Sequence, residues 1–180
     1  MLMNRRDALF GLTLTLSAGA GGYAWAQPAL GWTPTALTAG QAAVLDAVAE
    51  LVYPKTDTPG AREAGVPQMV DKALKGWLDP VQAGFIKSGL DKLDADAKAT
   101  HGAGFVALTA AQQNALLTRY DQEAVAAKPK PHPFGSLKDL LTIGYFTSKP
   151  GATMTLRYDP VPGEFRGCVP MKDIGRAWAT

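Results

Sequence analysis

Two histidines, a run of three aspartates, two loop carboxylates and one cysteine are the side chains of this 180-residue chain most able to do chemistry. His101 precedes Gly102, and His132 stands between Pro131 and Pro133. Neither has an acidic or cysteine neighbour at metal-ligand spacing, so both read as exposed loop histidines. Asp91, Asp94 and Asp96 could in principle share protons as paired acids. Helical spacing instead places Asp91 and Asp94 on one face with Lys87, Lys92 and Lys98 nearby, which reads as a salt-bridged solvent face. Asp57 and Glu63 have no partner base in sight. There is no G-x-S-x-G, no phosphate loop and no G-x-G-x-x-G after a strand, and Gly102-Ala103-Gly104 is too short to cradle a pyrophosphate. The single Cys168 excludes a cysteine-rich zinc site and an intrachain disulfide. It leaves three readings open: an interchain bridge, burial (at an interface, as a small apolar residue), or an inert thiol. The expectation is a chain that catalyses nothing alone and carries no catalytic residue, cofactor or metal of its own.

Composition narrows the class. With 18 Lys+Arg against 16 Asp+Glu the net charge is +2, and 47% of residues are hydrophobic. That is a globular composition, and the interspersed charges lack the basic clusters that nucleic-acid binding needs. The length suits one domain.

The elements that must position these side chains are helical. Thr38-Ala39-Gly40-Gln41 fits a capping box, and Val44, Leu45, Val48, Leu51 and Val52 then form one apolar stripe that Pro54 stops. A loop over 55–65 comes next, with a short turn beginning at Pro59. Pro67 opens a second helix with Met69, Val70, Ala73, Leu74 and Trp77 as its buried face. Asp79-Pro80 caps a third that runs to about Thr100, with Val81, Phe85, Leu90, Leu93 and Ala97 inward. Phe105 to Leu108 is short, apolar and ambiguous. Thr109-Ala110-Ala111-Gln112 is a second capping box, and its helix turns Leu116, Leu117 and Tyr120 inward. Residues 128–133 form a stiff polyproline-like connector, and a last helix over about 136–146 buries Leu137, Leu140, Leu141 and Tyr145. The expected fold is all-α: a single small domain of four to six helices with an extended irregular C-terminal tail. The chain divides into a signal at 1–26, a linker at 27–37, a helical body at 38–148 and the tail at 149–180.

The ends of the chain carry the functional signals. Arg5-Arg6 precedes an apolar, glycine-diluted stretch that closes in Ala24-Trp25-Ala26, a small-x-small cleavage pattern. Adjacent arginines with a mildly hydrophobic core point to the twin-arginine (Tat) export route and a periplasmic destination. A signal cleaved after Ala26 leaves residues 27–180; an uncleaved one would tether the protein to a membrane. That route exports folded proteins, chiefly those that load a cofactor first. A cofactor-free chain carrying such a signal suggests that the cargo is a partner.

The tail is rich in Pro and Gly yet holds Tyr158, Val161, Phe165, Val169 and Trp178. Such a segment either wraps its own helices or lies on a second protein. The partner-binding candidates are Tyr158, Pro160, Val161, Pro162, Phe165, Cys168, Val169 and Trp178, aromatic members of which suit interface anchors.

Several motifs in order also resemble one family. They are Asp57-Thr58-Pro59-Gly60-Ala61, Ala64-Gly65-Val66-Pro67 leading to Trp77, Leu141 to Thr147 (LTIGYFT), Pro150-Gly151-Ala152-Thr153, Tyr158-Asp159-Pro160-Val161-Pro162-Gly163 and Gly167-Cys168-Val169-Pro170. Over about Leu37 to Trp178 the chain resembles the gluconate 2-dehydrogenase subunit 3 family. The resemblance implies a non-catalytic small subunit of an oxidoreductase acting on CH–OH donors. Its large partner, similar to glucose-methanol-choline oxidoreductases, binds FAD and oxidises a sugar or sugar acid. A third, c-type cytochrome subunit with haem c commonly takes the electrons, and any membrane association is then indirect, through the complex. The small subunit commonly supplies the Tat signal for both. The rival reading is a free-standing periplasmic helical binding or structural protein.

Overall fold

The protein is described here from a computed structural model, covering residues 30–161, 163–164 and 167–179. The body consists of α1 (Ala39–Val52), α2 (Val66–Gly76), α3 (Pro80–His101), α4 (Ala110–Ala127) and α5 (Pro133–Thr147), with a 3₁₀ turn at Phe105–Ala107. A π-helical turn at Gly151–Thr155 and a short helix α6 (Met171–Ile174) belong to the tail. Among the described residues there is no strand, only an isolated bridge between Arg157 and Trp178. The all-α expectation holds. No helix among the described residues is long and apolar enough to cross a membrane.

The helix starts obey local chemistry. Thr38 and Thr109 each close a capping box with the glutamine three residues on. Asp79 accepts from the N–H groups of Val81 and Gln82 at 2.9 and 3.0 Å, satisfying two first-turn donors. Prolines stand in the first turns of α2, α3 and α5, where no intrahelical N–H is required of them. α3 ends at Gly102, whose φ of 73° lies in the left-handed region that a β-carbon disfavours.

α5 is the hub. It packs against α2, α3 and α4, while α1 closes on α2 and α3. The core between them contains Leu45, Val48, Val70, Leu90, Leu93, Phe105 and Leu141, all fully buried. Phe105 lies within the 3₁₀ turn that packs between α1 and α3, which resolves the ambiguous segment as a core plug rather than a strand. α5 begins at Pro133 and ends at Thr147, so the connector expected up to that proline is one residue shorter, and the helix starts three residues earlier and ends one later than the sequence reading.

Two expected core residues face solvent instead. Trp77 is 69% exposed and Val81 81%. Trp77 lies just past the last residue of α2, where the stripe that buries Val70, Ala73 and Leu74 has already ended. Val81 sits in the first turn of α3, and the inward position there goes to Ala83 and Ile86, with Phe85 only half-buried.

α3 and α5 approach closely at Gly89, where a β-carbon would lie 2.5 Å from Cβ of Pro133. Gly84, on the same helix, has open space around it. Gly84→Ala is therefore expected to stabilise the protein by about 0.5–1 kcal/mol through helix propensity. Gly89→Ala gains the same propensity but forces the rigid proline ring away, an overpacking cost of about 1–3 kcal/mol. Urea unfolding midpoints of the two variants should move in opposite directions.

Candidate functional site

The tail is rooted on the body through Tyr145. Its ring stacks on Tyr53 with centroids 4.5 Å apart and planes 5° from parallel. Its hydroxyl donates to the Pro59 carbonyl at 2.9 Å, and Thr58 Oγ1 and Thr155 Oγ1 lie 3.3 and 3.2 Å from it. Gly144, one residue earlier, lets Val66 and Met69 approach the helix, since a β-carbon there would lie 2.1 Å from Met69 Cε. The separate sequence motifs around residues 57–61, 64–67, 141–147 and 150–153 thus belong to one junction. Ser148 Oγ receives the Gly151 N–H at 3.1 Å and turns the chain. At Gly151 a β-carbon would fall 1.9 Å from the Tyr145 carbonyl oxygen, so this turn requires glycine.

Beyond Thr155 the tail rises off the body. Tyr158, Pro160, Val161, Cys168, Val169 and Trp178 are all exposed, Val161 by 80% and Trp178 by 43%. Cys168 is a free thiol. Pro162 and Phe165 lie outside the described residues, as do Arg5, Arg6, Ala24 and Ala26 of the signal. The segment divides in exposure: the π-turn Gly151–Thr155 packs onto α5, whereas Tyr158, Val161 and Val169 beyond it present apolar side chains to solvent. Trp178 is the exception. The Arg157 guanidinium carbon lies 4.1 Å from its ring centre, a cation–π contact that occupies one face.

Most of the other chemistry-bearing residues make contacts within the body. Asp96 accepts from Tyr120 Oη at 2.7 Å, Lys92 Nζ at 2.8 Å and Arg119 at 3.1 Å, bracing α3 to α4. The Lys92 hydrogen bond, then that of Tyr120, holds Asp96 below the usual carboxylate range. Burial first, and the hydrogen bond and charge of Asp96 after it, push Tyr120 up to about 12. Asp94 pairs with Lys98 and accepts the Phe105 N–H at 2.8 Å, while Asp91 receives the Gln41 amide. Glu63 pairs with Lys55, and Asp57 is exposed. His101 is exposed but ends α3 rather than lying in a loop. His132 corrects the exposed-loop reading: it precedes α5 half-buried, with Nε2 4.0 Å from Glu123. Among the described residues no three His, Cys, Asp or Glu side chains converge as metal ligands would.

Sequence reasoning missed Asp71. It is 2% exposed, inside α2, and receives four hydrogen bonds from the linker. Thr35 N–H and Oγ1 donate to Oδ2 at 2.7 and 2.8 Å, and the N–H groups of Ala36 and Leu37 donate to Oδ1 at 2.9 and 3.0 Å. Burial raises its pKa, but the bonds from Ala36, Thr35 and Leu37 together outweigh that and leave it below the ordinary carboxylate value. The end of the linker is therefore bolted to the body, and Leu37 is buried with it. The available signal was an acid at the centre of an apolar face, four residues after Pro67 and three before Leu74.

A family model described as gluconate 2-dehydrogenase subunit 3 matches residues 39–163, from the start of α1 into the tail. No curated protein and no solved structure matches the chain.

Proposed function

Because the chain belongs to the gluconate 2-dehydrogenase subunit 3 family, we propose that it is the non-catalytic small subunit of an FAD-dependent sugar or sugar-acid dehydrogenase. It binds the flavoprotein subunit in the cytoplasm and directs the folded pair through the twin-arginine pathway to the periplasm. FAD belongs to the large subunit, and a c-type cytochrome with haem c is the proposed electron acceptor. Membrane association is through the complex or through a retained signal.

The observation that carries this reading is the tail. A segment holding Tyr158, Val161 and Val169 is anchored at its root by Tyr145 and then exposes those apolar side chains, which folding alone leaves uncovered. Trp77 and Val81 add a second exposed apolar site at the α2–α3 corner. Apolar surface of this kind is concentrated at sites of protein association, and aromatic anchors dominate their energetics. Arg5-Arg6 supplies the export half of the proposal.

The test is a chain stopped after Arg157, co-expressed with the flavoprotein. The helical body, which keeps the π-turn packed on α5, should unfold as before. Flavoprotein retention should weaken at least tenfold, which corresponds to about 1.4 kcal/mol of binding. Retention at full strength would place the interface elsewhere.

A further inference from the structure

The tail leaves the body at Arg157 and returns to the same residue at Trp178. The Arg157 N–H donates to the Ala177 carbonyl, and the Ala179 N–H donates to the Arg157 carbonyl, each at 2.8 Å. Together they make a parallel bridge. On that bridge the Arg157 guanidinium covers the Trp178 ring, and the neighbouring Arg176 guanidinium donates to the Met154 carbonyl in the π-turn. The two ends of the segment, at Tyr158 and Ala177, are thereby held together. A cation–π pair between half-buried Arg157 and exposed Trp178 and a few surface hydrogen bonds are weak beside the packing of the helical core. Their effect is local: they remove the freedom of a long chain end and fix the direction in which Tyr158 leaves the body.

We propose that Arg157 and Trp178 are positioning residues for docking of the flavoprotein subunit, a reading that rests on the small-subunit assignment above. They close the tail before the encounter, so Tyr158, Val161 and Val169 reach the partner on a segment whose two ends are already fixed. Trp178 stays on Arg157 in the complex instead of entering a pocket of the partner. The gain is pre-organisation, because ordering a segment at the moment of binding subtracts from affinity, and the closure cost is met within the isolated chain.

Affinity of the full chain for the co-expressed flavoprotein decides this, measured for Arg157→Ala, Trp178→Ala and the double variant. Each single change should weaken binding about tenfold, and the double change no more than either one, since both abolish the same closure. A Cys168→Ser background then carries Arg157→Cys with Trp178→Cys. Paired residues on adjacent strands lie within disulfide reach. The oxidised form should bind like its Cys168→Ser parent and the reduced form like the double alanine variant. In the isolated chain the Ala179 amide should be protected from hydrogen exchange, and Trp178→Ala should remove that protection. Losses that multiply in the double variant, or an oxidised bridge that fails to restore binding, would show that Trp178 itself touches the partner and overturn the proposal. Wild-type binding with all variants unchanged overturns it alone. A wild-type chain that holds no flavoprotein overturns the small-subunit assignment and this proposal with it.

Discussion

Lysine in place of both Arg5 and Arg6 is expected to strand this chain and the flavoprotein proposed as its partner together in the cytoplasm. The change keeps both positive charges, so a purely electrostatic attraction to a membrane surface would survive it. What is lost is the planar, five-donor guanidinium, which an ammonium does not imitate. A twin-arginine signal is read by a receptor as an address, so the expected effect is near-complete loss of export and not a graded weakening. Fractionation of cells expressing both subunits, with flavin fluorescence and immunodetection in each fraction, checks it. Normal export of the flavoprotein alongside a stranded small subunit would separate the two halves of the proposed function and remove the escort role.

Asp71→Asn should be the most destabilising polar change in the body. The carboxylate accepts four hydrogen bonds from Thr35, Ala36 and Leu37. An amide has one acceptor oxygen, and its NH₂ group would face donors. Hydrogen bonds to a charged acceptor contribute about 1.5–3 kcal/mol each, and buried donors left unpaired carry a similar penalty. Part of that loss is relieved by release of the linker, so a net destabilisation of about 2–4 kcal/mol is expected in urea unfolding at pH 7. The sign with pH is set by the folded pKa lying below the unfolded value of 3.8. The carboxylate's stabilisation is complete above roughly pH 5 and is lost as pH falls through 3.8 toward the folded value. The gap between wild type and Asp71→Asn should therefore narrow at about pH 3. A gap under about 1 kcal/mol at pH 7, or one that ignores pH, would show that the linker is not held through this charge.

Much of the architecture could be read from local chemistry. Thr38, Thr109 and Asp79 cap helices because their side chains satisfy first-turn N–H groups, and that depends on neighbours three residues away at most. The same locality explains where reading failed. Trp77 and Val81 match the apolar spacing of helices α2 and α3, but each sits at a helix end, where position relative to the core is set by the chain's exit direction rather than by period. Asp71 was overlooked because its partners lie more than thirty positions earlier in the chain, in a segment with no periodicity of its own. The tail's exposed apolar residues were legible as an anomaly of composition, but the closure between Arg157 and Trp178 was not. A pairing of two single residues across an irregular segment leaves no repeating pattern. The junction around Tyr145 was visible only as separate motifs, since the contacts that unite Thr58, Pro59 and Thr155 on one hydroxyl are long-range.

The anchor at Asp71 also sets a tether length. With Thr35 pinned to α2, the nine residues back to Ala26 span at most about 30 Å even when fully extended. If the proposed signal is cut after Ala26, the peptidase must work within that radius of a folded globule, so access to the scissile bond is governed by the bulk standing beside it, and the proposed flavoprotein partner would add to that bulk.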